Sequence, residues 1–314
     1  MEKIRGKYWV PNIEKKFKPW KGHKIIKRKY WVTNILAKRR SGKSVLIANL
    51  VKQFVNPKTI VLFFSGTYFN DDTYDAIREY LDKRGIIYEG EMSMIDDNGD
   101  NLIRKFINHA KAEAKRIKNG EDNGDDSDEE GAENGEAAPV AVSGGGWMDN
   151  LDFEPGSSVS TGRGAAAIQE VEKPKKQKKK SKKQAFDDLP EYLIILDDIS
   201  DELKNRALKL LVKNSKHYKI KLIISSQDFT DVLPSIHAQG DICCIFKETT
   251  DKRLEYLFEK LSLWGNLAEF KKVYKHITSE PYEFLLIDRQ RQHYRKGLFL
   301  QLTQEYIDAI PNLE

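Results

Sequence analysis

The sequence predicts an α/β protein whose mostly parallel sheet carries helices on both faces, and three observations support this. Short apolar, β-branched runs alternate along the chain with segments of helical apolar spacing, a rhythm that joins strands by crossovers and leaves them parallel and buried on both faces. A small basic turn of the form A-x-x-x-x-G-K-S stands between the first run and the first helical segment. Two later runs end in acids or an amide, at the carboxyl edge of the strands where open α/β sheets bind their ligands.

The first strand is "YWVTNIL", Tyr30 to Leu36, and the helix after the turn is "VLIANLVKQF", with apolar spacing at Val45, Leu46, Leu50 and Phe54. Strand, fixed-length turn, then Gly-Lys-Ser opening a helix is the order of a nucleotide-binding P-loop. The first N–H groups of a helix lack internal partners, and the helix dipole favours an anion there. Ala37, Lys38, Arg39, Arg40, Ser41, Gly42, Lys43, Ser44 and Val45 are therefore the expected binding set for ATP. Gly42 allows close backbone approach, Lys43 neutralises the β- and γ-phosphates, and the Ser44 hydroxyl binds Mg2+. Ala37 stands where the motif usually has glycine, a mild departure because alanine disfavours positive φ.

"TIVLFFSG", Thr59 to Gly66, reads as a second buried strand, followed by helices from about Asp71 to Lys83 and Asn101 to Lys118. In the third strand, "YLIILDDIS", Leu193 to Leu196 lead into Asp197 and Asp198. Asp197 is placed to hold the magnesium through its water shell, and Asp198 to orient or polarise the attacking water. The alternative is that both acids cap a helix starting near Asp201. After the helical pattern "DELKNRALKLLVKNSKH", the strand "KLIISSQ" ends in Gln227, a sensor candidate for the attacking water or the γ-phosphate. "DICCIFKE" is a fifth strand. The catalytic set is Lys43, Asp198 and Gln227, the metal set Ser44 and Asp197, and the fold a P-loop NTPase core of the ASCE type. Arg39 and Arg40 can act in cis on the transferred phosphoryl group, and Arg206, Arg253, Arg289, Arg291 or Arg295 on a neighbouring subunit.

The net charge of +5 hides strong local segregation. From Asn119 to Asp188 the chain turns acidic, then Gly-, Ser- and Ala-rich, then strongly basic, a composition that cannot offset its ordering entropy by burial. The chain is therefore expected to divide into a basic segment 1–29, a first core part 30–118, a disordered insert 119–188, a second core part 189–250 and a carboxyl-terminal extension 251–314. Within the insert, Trp147 and Phe153 form a candidate docking motif, and Lys173 to Lys183 reads as a nuclear localisation signal, a nucleic-acid-binding tail or a partner for the acidic run. The extension reads as two amphipathic helices and one or two strands, with Trp264, Leu267 and Phe270 as core or subunit-contact residues. Cys243 and Cys244 are adjacent, without metal spacing, and the six histidines lack zinc spacing, which excludes a disulfide framework and the usual zinc sites. With no signal-peptide core and no apolar run near the roughly 20 residues that span a bilayer, a soluble intracellular protein with no membrane segment is expected.

"AKRRSGKS" as Walker A, "LIILDD" as Walker B and "IISSQ", followed by "DVLPSIHAQGDICCIF", resemble the FtsK-HerA superfamily. The resemblance is nearest to its viral branch, the genome-packaging ATPases of nucleocytoplasmic large DNA viruses, virophages and polinton-type elements. It covers roughly Tyr30 to Glu248 without the insert, and departs where His237 stands near a position at which the family often has arginine. It implies a homo-oligomeric ring that threads double-stranded DNA into a preformed capsid using ATP, with capsid or portal-type vertex proteins as partners. The expected location is the host cytoplasm or nucleus, in a virus factory, or the virion. "KKFKPWKGHKIIKRKYW" and "RQRQHYRKG" are pore-lining, capsid-facing or simply solvated surface. A nucleotide or nucleoside kinase, and a non-enzymatic nucleotide-gated assembly factor binding DNA, are the competing readings.

Overall fold

A computed structural model describes residues 3–4, 8–9, 30–119, 189–247, 250–263, 265–298 and 300–311. Most of the expected insert, with Trp147, Phe153 and the lysine block, lies outside the described residues, as do Trp264 and most of the basic amino-terminal stretch. The chain forms two compact units, residues 1–108 with 190–314, and residues 109–189. The second is represented among the described residues mainly by the carboxyl-terminal part of one helix.

In the first unit, β1 (Lys3–Ile4) and β2 (Tyr8–Trp9) pair with each other, antiparallel. The main sheet begins with β3 (Val32–Leu36), followed by α1 (Lys43–Phe54), β4 (Thr59–Ser65), α2 (Asp72–Asp82), β5 (Tyr88–Glu91) and α3 (Leu102–Asn119), which runs into the second unit. It resumes with β6 (Glu191–Asp197), α4 (Arg206–Asn214), β7 (Ile220–Ser226), the short α5 (Pro234–His237) and β8 (Ile242–Phe246). The last part holds α6 (Asp251–Lys260), α7 (Leu267–Ile277), β9 (Phe284–Asp288), β10 (His293–Lys296), β11 (Leu300–Gln301) and α8 (Gln304–Asp308).

The nine strands lie in the order β11-β10-β9-β8-β3-β7-β6-β4-β5. All pairings from β8 to β5 are parallel, whereas β9, β10 and β11 add antiparallel strands beyond β8. Every residue of β6 and β7 is buried, which is why these strands read as continuous apolar runs rather than alternating ones. Successive residues still face opposite layers. Ile35, Phe63, Ile195 and Cys244 join a core with Leu46, Ile47 and Leu50 of α1 and Tyr74, Ile77 and Leu81 of α2. Leu36, Cys243 and Ile245 join another with Leu254 of α6 and Phe270, Val273 and Ile277 of α7. The two cysteines are thus free and on opposite faces; burial pushes the Cys243 thiol up to about 12 and Cys244 well above its usual value.

The fold departs from the sequence reading in four places. β5, with the sequence YEGE, was not expected: it is a half-buried edge strand without an apolar run. The helix expected from residue 201 is instead a short 3-10 turn, Ser200–Glu202, followed by α4. Asn205 divides them because its side chain accepts the Ala207 N–H at 2.8 Å, a cap that competes with helix continuation. The first strand starts at Val32, although Tyr30 and Trp31 are buried before it. The carboxyl-terminal segment supplies three strands and three helices, and β9 pairs directly with β8, so it continues the sheet. Within it, Phe270 and the partly buried Leu267 belong to the core.

Candidate nucleotide site

At the carboxyl end of β3, Ala37 continues the ladder by donating its N–H to the Ser226 carbonyl at 3.0 Å. Ala37 is not among the residues with positive φ, so alanine in place of glycine carries no strain. The turn then closes on itself, the Ser41 hydroxyl donating to the Lys38 carbonyl at 2.7 Å. Arg40 has φ 63° and Gly42 φ 94°. A Cβ at position 42 would sit 3.4 Å from Tyr282 Cδ1, an ordinary contact, so it is the left-handed conformation that favours glycine. Gly42 caps α1 without a side-chain bond, and no acid stands in the helix's first turn. Lys43, Ser44 and Val45 therefore open a helix whose start is suited to an anion.

Lys43 Nζ lies 2.9 Å from Asp197 Oδ1 and 3.6 Å from Asp198 Oδ1. Asp197 is the last residue of β6 and 1% exposed, and Asp198 follows with φ 58°, a left-handed conformation that aspartate tolerates better than most residues. Gln227, just past β7, donates its amide Nε2 to Asp198 Oδ1. The lysine, both acids and the amide, which come from three separate strand ends, thus form one constellation. The helix-capping alternative for the acids does not hold, since the 3-10 turn has no side-chain cap and Asn205 caps α4.

Two residues of this site escaped the sequence reading. Tyr74 in α2 donates its hydroxyl to Asp197 Oδ2 at 2.7 Å. Burial and the adjacent Asp197 carboxylate hold that phenol far above its usual pKa, so it remains a donor. Asp71 caps α2 through Oδ1, which accepts the Thr73 N–H at 2.8 Å, and its Oδ2 lies 3.5 Å from the Ser44 hydroxyl. Asp71 had a positional signal, an acid at the start of the helix that follows a buried strand. Tyr74 had none, because with Ile77 and Leu81 it reads as the buried face of an amphipathic helix.

Of the candidate arginines, Arg39, Arg40, Arg206 and Arg253 are exposed. Arg253 pairs with Asp228, beside Gln227. Arg289 Nη1 donates to the His237, Ala238 and Gly240 carbonyls at 2.9, 3.1 and 2.9 Å, holding the turn before β8. Arg291 lies 3.6 Å from Asp288, and Arg295 is buried in β10. His237, near the family's arginine position, is buried and stacked on Phe229 with ring centroids 3.6 Å apart. Burial pushes its pKa down to about 4, aided by Arg289, against the Phe229 carbonyl that accepts from its ring.

Among the described residues, no cluster of His, Cys, Asp and Glu is arranged to hold a metal by itself, and no helix is long and apolar enough to cross a membrane. One strand, β7, lies between the strand that feeds the 37–44 turn and the strand that ends in Asp197; this additional strand defines the ASCE arrangement. The chain has the fold of a P-loop NTPase.

No family model matches the chain. Uncharacterized protein 075L of Invertebrate iridescent virus 6 is 31% identical over 108 residues, which are 33% of this chain and 41% of that protein. The match thus spans about two-fifths of the curated relative's length. Among solved structures, the chain is similar to the DNA-packaging ATPase B204 of Sulfolobus Turreted Icosahedral Virus, at 15% identity and a TM-score of 0.46 over 85% of this chain and 96% of that one. It is also similar to the genome packaging NTPase B204 of Sulfolobus turreted icosahedral virus 2 in complex with AMP, at 13% identity and a TM-score of 0.47 over 86% of this chain and 98% of that one.

Proposed function

We propose that this chain is an ATPase that drives double-stranded DNA into a preformed viral capsid. The observation that carries the ATPase reading is the meeting of Lys43, Asp197, Asp198 and Gln227 at the carboxyl edge of the sheet. In this reading the 37–44 turn is Walker A, Asp197 and Asp198 are the Walker B acids, and Gln227 is the sensor. Lys43, paired with the acids, exchanges them for the β- and γ-phosphates of ATP. That exchange leaves Asp198 to orient the attacking water, with the Gln227 amide fixing the carboxylate's direction. The donor set suits magnesium: the Ser44 hydroxyl and the Asp197 carboxylate are hard oxygens, the first placed to bind Mg2+ and the second to hold it through its water shell, and water and phosphates would supply the other ligands. When bound, Mg2+ neutralises charge on the β- and γ-phosphates.

The packaging part of the reading is supported by the order of the motifs and by the likeness to a viral protein over 108 residues. It brings with it a homo-oligomeric ring, capsid or portal-type vertex partners, a basic DNA path, and action in the host cytoplasm or nucleus or on the virion. An arginine finger in trans is best sought at Arg206, which is exposed, because Arg253, Arg289 and Arg291 have partners within the subunit and Arg295 is buried. The test is ATP hydrolysis by the purified chain with and without long double-stranded DNA, alongside Lys43→Ala. Stimulation by DNA that the substitution abolishes supports the motor. ATP turnover indifferent to DNA that, with a nucleoside or nucleotide added as acceptor, yields ADP and the phosphorylated acceptor would establish a kinase instead.

A further inference from the structure

We propose that the first turn of α2 orients the magnesium-binding oxygens of this site, with Asp71 and Tyr74 as positioning residues; this rests on the nucleotide reading above. Asp71 and Tyr74 stand three residues apart, one helical turn, and so share a helix face. Asp71 Oδ2 lies 3.5 Å from the Ser44 hydroxyl, while the Tyr74 hydroxyl reaches Asp197 Oδ2 at 2.7 Å. A single turn thus touches both protein groups suited to magnesium, the Ser44 hydroxyl on the phosphate-loop helix and, through its other oxygen, the Asp197 carboxylate at the end of β6.

The direction of each contact matters. An ionised carboxylate only accepts, so Asp71 draws the Ser44 proton towards itself and leaves the hydroxyl lone pairs for a cation. The distance is long for such a bond, so Asp71 steers the hydroxyl rather than locking it. Tyr74 occupies Asp197 Oδ2, which leaves Oδ1, where Lys43 stands at 2.9 Å, as the atom facing the loop. Asp197 is 1% exposed. Once phosphate draws Lys43 away, Tyr74 remains as a fixed partner for this buried carboxylate, and outer partners of this kind typically change metal affinity by 10- to 100-fold.

The test uses the full chain, a fluorescent non-hydrolysable ATP analogue, and a magnesium titration starting from EDTA, on wild type, Tyr74→Phe and Asp71→Asn. Tyr74→Phe keeps the ring packed against Phe63 and Tyr68, and asparagine caps a helix as well as aspartate. The expected result is a half-saturating magnesium concentration raised roughly 10- to 100-fold, with metal-free analogue affinity as in wild type. Magnesium curves that overlay the wild type in both variants would overturn the proposal. So would metal-free and magnesium-bound affinities falling together, which marks a packing role. A shift in one variant alone confines the role to that residue, and if Tyr74→Phe does not fold, Asp71→Asn decides by the same criterion. If the wild type binds no analogue with or without magnesium, the nucleotide reading itself falls and this inference with it.

Discussion

At the scale of single residues, Asp198 and Gly42 show how backbone conformation selects side chains at the site. Asp198 sits at φ 58° with Gln227 on Oδ1. Asparagine tolerates the same conformation and keeps the acceptor but cannot take a proton. Asp198→Asn is expected to fold normally and bind nucleotide, with single-turnover hydrolysis slowed by about 10²- to 10⁴-fold. Gly42 at φ 94° does not tolerate a side chain in this way. Gly42→Ala should lose about 1–2 kcal/mol of stability from the left-handed backbone alone, read by urea unfolding, together with weaker nucleotide binding. His237 gives a pH signature. Its pKa, held at about 4 by burial, lies below its unfolded value, so the unfolded state binds the extra proton between about pH 6.5 and pH 4. Stability is full above that window and falls by up to about 3 kcal/mol as pH drops through it. Urea midpoints at pH 7 and pH 5 should therefore differ less in His237→Phe than in the wild type.

At the scale of elements, the sheet is stapled at the end opposite the site. Lys221 Nζ on β7 donates to Glu191 Oε2 on β6 at 3.1 Å and to the Phe54 carbonyl ending α1 at 2.7 Å. Asn56 adds a bond to the same Glu191 oxygen at 2.9 Å, and the paired side chains are 6% and 9% exposed. Removing one member strands a buried charge. Lys221→Met should destabilise the fold by about 3–5 kcal/mol, measured by chemical denaturation, without altering the groups around Lys43. The element missed from the sequence, β5, shows where pattern reading fails: an edge strand half open to water has no apolar signature, and only its pairing with β4 defines it.

At the scale of the whole molecule, the strand order decides what the motifs can do. β7 stands between β3 and β6, so Gln227 meets Asp198 from the neighbouring strand while Lys43 reaches the acids from one strand further away. The antiparallel strands beyond β8 bind the carboxyl-terminal segment into the same sheet, and Arg289 there braces the turn into β8. A motor that holds DNA by its phosphates should lose DNA stimulation as salt rises. Between 50 and 200 mM salt the apparent DNA affinity, taken from stimulated hydrolysis, is expected to drop by about 10³- to 10⁵-fold if six to ten phosphates are contacted. A flat salt response would count against a backbone-tracking channel.

The sequence by itself determined the parallel core and the phosphate-loop constellation, because a buried strand must be apolar, a phosphate turn has fixed length and residue types, and a strand-end acid stands out against the run before it. Lys43, Asp197, Asp198 and Gln227 were all legible for that reason. The tertiary structure alone decided which partners complete them. Tyr74 reads as core until its hydroxyl is seen at 2.7 Å from Asp197, Arg289 reads as a free cation until its three carbonyls are found, and residues 251–314 read as an extension until β9 pairs with β8. Each of these depends on contacts between segments far apart in the chain, and local periodicity carries no information about which distant groups a side chain will meet.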